Sequence, residues 1–489
     1  MSHFSETLNR LMKQKHIKSV TLCEALSIRK SRFSKIKNGG ILPPDYELVE
    51  QLAKAMALNP QDKKELCLSY QMSKFGHTYE QIEMSIERLY RVQKPKPYQT
   101  GECFHTPISA ENGHMYTDKM SVLAAVQCLC VNAAQVRLAV QPEDADLMDV
   151  LGRCAASCKE DAAMHWLFWM EQPENGNISA VNLDIFSHAL SFICAGNAEI
   201  RYVYSHLPEL LEQQLFPFFI VSEQGALTIS RDCTKAVWFS QPDMIALYEK
   251  QYDTLFRTSN AFCQRFRSVP DFFAFLSRAR GLLNEKAGEE LYVLAKHPCI
   301  TSGVSERDLQ ALYLSKEDDG CNANSCYSYL IEYITRAKRE NIIFSKQGMQ
   351  EFFQQDMYYE YSESISLPLS KERRYAVLSE ILNHNSGRRR FQMLNDALMD
   401  HTNIHGMDIW SEGAIILIMN FHNSFFLITL QEKSITSAIL AYLQYLEEMK
   451  VLSDPQTAEE MLQKQCQFYQ KTLREQETEK IPVSDTMTS

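Results

Sequence analysis

Apolar residues recur at helical spacing through the first seventy positions. Phe4, Leu8, Leu11 and Met12 mark a first helix. A second starts near Ser19 and presents Leu22, Cys23 and Leu26, and a third from Lys30 to Lys37 buries Phe33 and Ile36. Between these two, "SIR" is long enough only for a tight turn. Pro43-Pro44-Asp45 stops the chain and re-caps it, Asp45 being a good N-cap. A fourth helix carries Leu48, Leu52, Ala53 and Met56, and a fifth lies near Gln61–Gln71. "TYEQIEMSIERLYRVQ" is a further amphipathic helix. The Pro- and Gly-bearing stretch Gln93–Tyr116 then reads as a linker.

From Thr117 to Phe256 the period alternates between helix and strand. "DKMSVLAAVQCLCVNA", "DADLMDVLGRCAASC" and "LDIFSHALSFICA" are helical. "QVRLAV", "MHWLFWM" and "EIRYVYS" are strand-like, and "FFIVS", "ALTIS" and "AVWFS" follow as short strands. "PDMIALYEKQYDTLF" closes the unit as a helix with Pro at its first turn. The later chain echoes this order. "RRYAVLSEILNHNSGRRRFQML" parallels "LDIFSHALSFICAGNAEIRYVY", and "MDIWSEGAIILIMNF" with the strand and helix after it parallels "FFIVSEQGALTIS" and its successors. Two related α/β halves with mixed sheets are expected. Residues 257–367 read as mainly helical. "TAEEMLQKQCQFYQKTLREQ" is a polar helix, and "ETEKIPVSDTMTS" reads as a disordered tail.

The expected architecture is multidomain. An all-α five-helix head occupies 1–75, and a helix and linker 76–116. A first α/β half covers 117–265, a helical bridge with a second α/β half 266–450, and a polar helix with its tail 451–489.

Charge sharpens this division. The 489-residue chain has a formal net charge of −11. Residues 1–70 carry 12 Lys/Arg against 7 Asp/Glu, so the head is basic and everything after it is acidic. A basic head on an acidic body suggests that only the head meets a polyanion. The charged N-terminal stretch does not read as a signal peptide, and "NFHNS" interrupts the longest apolar run, so no membrane span is expected. The 14 Cys are scattered without a C-x-x-C pair, which fits reduced thiols in a cytoplasm.

Arg29 to Lys37 packs five basic residues and no acid into nine positions. With Phe33 and Ile36 buried, Lys30, Ser31, Arg32 and Lys35 fall on the outer face of the third helix. This region resembles the lambda-repressor-like (Cro-type) helix-turn-helix family. Cys23 stands at the small position of helix 2, and Ile28 at the apolar turn position. Gly39 closes helix 3, and Pro44, Leu52, Ala53 and Met56 match the fourth helix. Ser19 replaces the usual Gln at the start of helix 2, Arg29 replaces a Ser/Thr cap, and Lys37-Asn38 replaces an acidic residue. The resemblance covers about 70 of 489 residues. It implies that helix 3 enters the major groove of double-stranded DNA, N-terminal residues first, with dimeric binding to two half-sites. The implied DNA-binding residues are Ser19, Lys30, Ser31, Arg32, Lys35, Lys37 and Asn38. Arg and Lys can read guanine, whereas Lys37 and Asn38, at the helix end, suit phosphates.

No phosphate loop, dinucleotide fingerprint, H-E-x-x-H or nucleophile elbow occurs. The duplicated body resembles the phospholipase-D-like fold but lacks its His-x-Lys-x4-Asp motifs. His401 and His405, near Asp400 and Asp408, have metal-ligand spacing, but Asn403 and Gly406 favour a polar loop. Cys154 and Cys158 share a helix face as packing residues, and Glu317-Asp318-Asp319 reads as a solvated loop. Arg388–Arg390 opens a strand; it reads as charge protecting a sheet edge, with binding of an anionic effector as the alternative. Trp166, Trp169, Phe218, Phe219, Trp238 and Phe239 read as core. The expectation is therefore a cytoplasmic, bacterial-type DNA-binding transcription regulator, a homodimer, with no cofactor or metal and no catalytic activity. The body would sense a small-molecule or protein effector. The alternative is an enzyme, or a protein-binding, antitoxin-like chain, with a DNA-binding appendage.

Overall fold

A computed structural model describes residues 2–44, 46–98, 111–131, 133–158, 163–173, 180–196, 198–206, 213–266, 290–300, 337–355, 368–385, 387–395, 398–400, 402–411, 413–421 and 424–479. Asp45, Glu317–Asp319 and His401 lie outside the described residues.

The N-terminal region is helical. It comprises α1 (His3–Gln14), α2 (Ser19–Ala25), α3 (Lys30–Lys37), α4 (Tyr46–Ala55) and α5 (Pro60–Phe75). Phe4, Leu8, Leu11, Leu22, Phe33, Ile36, Leu52, Leu66 and Tyr70 form its core. Asn59 caps α5, accepting from the Asp62 N–H at 2.7 Å, and Pro60 fills the first helical position, where no N–H is needed. Helix α6 (His77–Tyr90) leaves this region for the body. Its Arg88 pairs with Asp184 at 2.7 Å, and its Tyr79 ring lies 4.0 Å from that of Tyr445.

The body holds two mixed sheets built on one plan. The first contains β1 (His114–Tyr116), β2 (Gln135–Ala139), β3 (Ala163–Glu171), β4 (Ala198–Ser205), β5 (Phe218–Ser222), β6 (Gly225–Ile229), β7 (Ala236–Phe239) and β8 (Asn260–Ala261). Its order is β1-β7-β6-β5-β2-β3-β4-β8. The second contains β9 (Cys263–Phe266), β10 (Glu290–Ala295), β11 (Arg339–Ser345), β12 (Arg389–Leu394), β13 (Ile404–Trp410), β14 (Ala414–Phe421) and β15 (Ser424–Gln431). Read from its other edge, its order is β9-β15-β14-β13-β10-β11-β12. The two orders match strand for strand, with β8 extra. The pairing senses match too: β2, β3 and β4 are parallel, as are β10, β11 and β12, and every other neighbouring pair is antiparallel.

Helices α7 (Lys119–Cys130), α8 (Ala145–Ser157) and α9 (Ala180–Ala195) cover one face of the first sheet, and α10 (Pro242–Thr258) covers the other. On the second sheet, α11 (Lys346–Gln354), α12 (Lys371–Asn383) and α14 (Pro455–Glu479) enclose a separate core around Phe352, Phe353, Tyr375 and Leu462. Helix α13 (Lys433–Glu448) covers the inner face and packs on α9 and α6. The chain is thus a multidomain α/β protein behind an N-terminal helical region.

Four expectations need correction. Residues 257–367 are not mainly helical where described, since β8 to β11 all fall there. β10 and β11 are rich in helix-forming Glu, Leu and Arg, but pairing with each other and with β12 and β13 makes them strands. β1 lies in the expected linker, yet pairs with β7. β9, assigned to the first half, pairs with β15 and opens the second sheet. The final helix runs to Glu479, into the expected tail.

Candidate nucleic-acid interface

Helices α2 and α3 meet through a turn whose geometry follows from their ends. Beyond α2, Ser27 adopts a left-handed φ of 54°. The Ile28 N–H returns to the Cys23 carbonyl at 3.0 Å, and the Ser27 N–H to that of Glu24 at 3.3 Å. These bonds satisfy carbonyls that the helix end would otherwise leave open. Ile28 packs against the core, which fixes the direction in which α3 departs. Helix α3 ends in the same way: Gly39 has φ 75°, and the Gly40 N–H reaches the Lys35 carbonyl at 2.8 Å. Burial of Phe33 and Ile36, each contributing about 1.5–3 kcal/mol, holds one face of α3 inward. Their exposures are 1% and 0%.

The outer face carries the expected residues. Lys30, Ser31, Arg32 and Lys35 are exposed along α3, and Asn38 is exposed as its C-cap, its Nδ2 donating to Ser34 Oγ at 3.4 Å. Ser19 and Lys37 are half-buried, and the Lys37 ammonium donates to Ser19 Oγ at 3.4 Å. The fold therefore brings all seven together on α2 and α3, with Ser19 and Lys37 joining the two helices.

Some cations elsewhere in the head are paired, whereas Lys13, Lys18, Lys54 and Lys64, like this face, have no carboxylate partner among the described residues. What sets this face apart is its density of cations without an acid. Arg10 pairs with Glu65 at 2.5 Å, Lys15 with Asp62 at 3.0 Å and Lys63 with Glu50 at 2.9 Å. Among the described residues, Arg29, Lys30, Arg32, Lys35 and Lys37 have no carboxylate partner, and no acid stands between Glu24 and Asp45 in sequence. Together they give this exposed face a positive potential.

One supporting residue has no mark in the sequence. Asn9 of α1 donates through Nδ2 to the Lys37 carbonyl and to the Ser5 carbonyl, both at 2.8 Å, so it pins the end of α3. No sequence signal marks a contact between positions 28 apart. Arg29, read in the sequence as the replaced cap of this helix, is its exposed N-cap and makes no side-chain capping bond.

The other candidates take structural places. Arg388 and Arg389 pair with Glu340 at 3.0 and 3.2 Å, although that carboxylate is 2% exposed by residue, and Arg390 pairs with Glu447. β12 is the edge strand of the second sheet. Cys154 is buried in α8, but Cys158 lies just past the helix end as its C-cap, and burial pushes its thiol pKa up. His405 lies on β13 rather than in a loop. Five of the six aromatic residues are buried; Phe239 is half-buried against Tyr248.

The head rests on the C-terminal end of α13. Lys74 reaches Glu448 at 2.5 Å, and Lys450 reaches Glu47 at 2.6 Å. The Tyr79 hydroxyl donates to the Ala441 carbonyl at 2.8 Å, and burial raises its pKa. Among the described residues no helix is long and apolar enough to cross a membrane, and no group of His, Cys, Asp and Glu is placed to hold a metal ion. No protein-family model matches the chain, and no curated protein does.

Proposed function

We propose that the chain is a sequence-specific DNA-binding transcription regulator. Its head is a Cro-type helix-turn-helix, with α3 lying in the major groove. The observation that carries this reading is the run of five cations from Arg29 to Lys37, without a carboxylate partner among the described residues, on a face that its own buried side turns outward. Lys30, Ser31 and Arg32 lead into the groove and contact base edges, Lys35 follows, and Lys37, Asn38 and Ser19 contact phosphates. One head makes few phosphate contacts, so two copies of the chain bind two half-sites and gain affinity through effective concentration. The acidic body repels DNA and confines the contact to the head. It carries the response to an effector, and no catalysis is assigned to it.

The test is selection of genomic fragments by the purified chain at two salt concentrations. Enrichment of one two-fold-symmetric site, weakened by salt, is expected. Absence of enrichment at both salts rejects the reading.

A further inference from the structure

The shared plan of the two halves allows one place to be compared in both. In the first half, the row Arg137–His165–Glu199 crosses β2, β3 and β4 beneath α10. That place is filled. Arg137 pairs with Glu249 at 2.5 Å and lies 3.8 Å from Asp253. The Phe256 ring packs on His165, and the Arg201 guanidinium lies 4.7 Å from the same ring.

In the second half the matching row is Tyr292–Asn341–Arg390, beneath α13. Here a cavity of about 400 Å³ opens between strands and helix. Its floor includes Gln392, two residues beyond Arg390 on the same face of β12 and 3% exposed. The Gln392 Nε2 is buried without a hydrogen-bond partner. A buried unpaired amide is costly. The orphaned group is a donor, so the missing partner is an acceptor. The only charged residues lining the cavity, among those described, are Arg390 and Glu447, which pair with each other. Ile343, Leu440, Leu443 and Leu452 supply an apolar wall.

These features select a ligand. An anion alone would meet Arg390 and the amide and leave half-exposed Glu447 to water, and a cation would meet Glu447 alone. A zwitterion replaces the ion pair with two and leaves no charge unmatched. The volume is that of a small-molecule site.

We propose that this cavity binds a free α-amino acid with an apolar side chain. Its carboxylate accepts from Gln392 Nε2 and the Arg390 guanidinium, whose residues lie two apart on one face of the strand, about 7 Å along the backbone. Its ammonium meets Glu447, and its side chain lies on Ile343, Leu440 and Leu443. Glu447 and Glu448 are neighbours, so the ligand sits one residue from the head's contact with α13.

Calorimetric titration of the full chain with the twenty L-amino acids tests the site. DNA is absent, so the outcome is independent of the reading of α3. One or more of leucine, isoleucine, valine, methionine and phenylalanine should bind. For the one that binds, the deaminated acid and the decarboxylated amine should bind at least about tenfold more weakly. Gln392→Leu and Glu447→Gln should each weaken binding by a similar factor. Glu447 is nearly half exposed, so its variant keeps the fold if Gln392→Leu does not. No binding of any apolar amino acid, equal binding of the deaminated acid, or binding unchanged in Glu447→Gln would each overturn the proposal.

Discussion

The Tyr204 hydroxyl of β4 donates to the Glu432 carboxylate at 2.6 Å, across the junction of the two halves. Tyr202 donates to the same oxygen at 2.9 Å. The other carboxylate oxygen accepts from the backbone N–H and the hydroxyl of Ser434, so Glu432 also caps α13. Glu432 is only 4% exposed, and its negative charge is stabilised by hydrogen-bond donors. Asn182 of α9 adds a bond to Ser434 at 2.9 Å. Removing the carboxylate takes away the charged acceptor that the two phenols share and uncaps α13. Glu432→Ala should therefore cost about 3–5 kcal/mol, and Tyr204→Phe about 1.5–3 kcal/mol. Urea unfolding followed by tryptophan fluorescence measures both. A change below about 1 kcal/mol in Glu432→Ala would show that the halves do not depend on this contact.

Lys30→Ala with Arg32→Ala should weaken binding to a selected operator by about 1–3 kcal/mol per residue. It should also relax preference at the contacted bases. Arg10→Ala, which removes a cation already paired with Glu65, should leave binding almost unchanged. Fluorescence anisotropy with labelled operator at several salt concentrations separates these cases. Equal losses in the two variants would mean that net charge, not the face of α3, governs binding.

Local periodicity made much of this molecule legible. The spacing of Phe33 and Ile36 announced which face of α3 is inward, and the echo of "FFIVSEQG" in "MDIWSEG" anticipated the matched antiparallel strands. What stayed hidden depends on distant partners. "ELYVLA" is a strand because Tyr292 pairs with Asn341 on one side and Ile409 on the other. Asn9 supports α3 from another helix, and Glu432 is defined by tyrosines more than 200 positions earlier. The cavity under α13 was not legible either. It is lined by Tyr292 and Gln392, where Arg137 and Phe256 fill the matching place in the other half.

Helices α1 to α4 all end with a left-handed residue: His16, Ser27, Gly39 and Ala57, at φ 55°, 54°, 75° and 47°. Only one is glycine, although a side chain there crowds the backbone. Ala57→Gly should raise stability by up to ~1 kcal/mol, and Gly39→Ala should lower it by about as much. Thermal unfolding by circular dichroism reads the pair. Destabilisation by Ala57→Gly would show that the entropy of the unfolded chain outweighs the relief.

His297 supplies a prediction in pH. Burial, with the charges of His405 and Lys296 beside it, holds its pKa down to about 4, against the pull of Glu351 at 3.4 Å. The folded chain thus keeps this imidazole neutral where the unfolded chain has begun to protonate it. The unfolded state binds more protons between the two pKa values, so stability falls as pH drops from about 6.5 to about 4. The loss is at most a few kcal/mol. Glu351 is itself held below the usual carboxylate range by Lys296 and Gln347 despite its burial, so its own contribution is lost only as pH falls through that lowered value. His297→Gln removes the titrating ring and keeps a donor for Glu351. Its unfolding free energy should vary less with pH over this window than that of the native chain. Equal slopes would mean that His297 titrates alike in the folded and unfolded states, and that the acid sensitivity of the second half originates elsewhere.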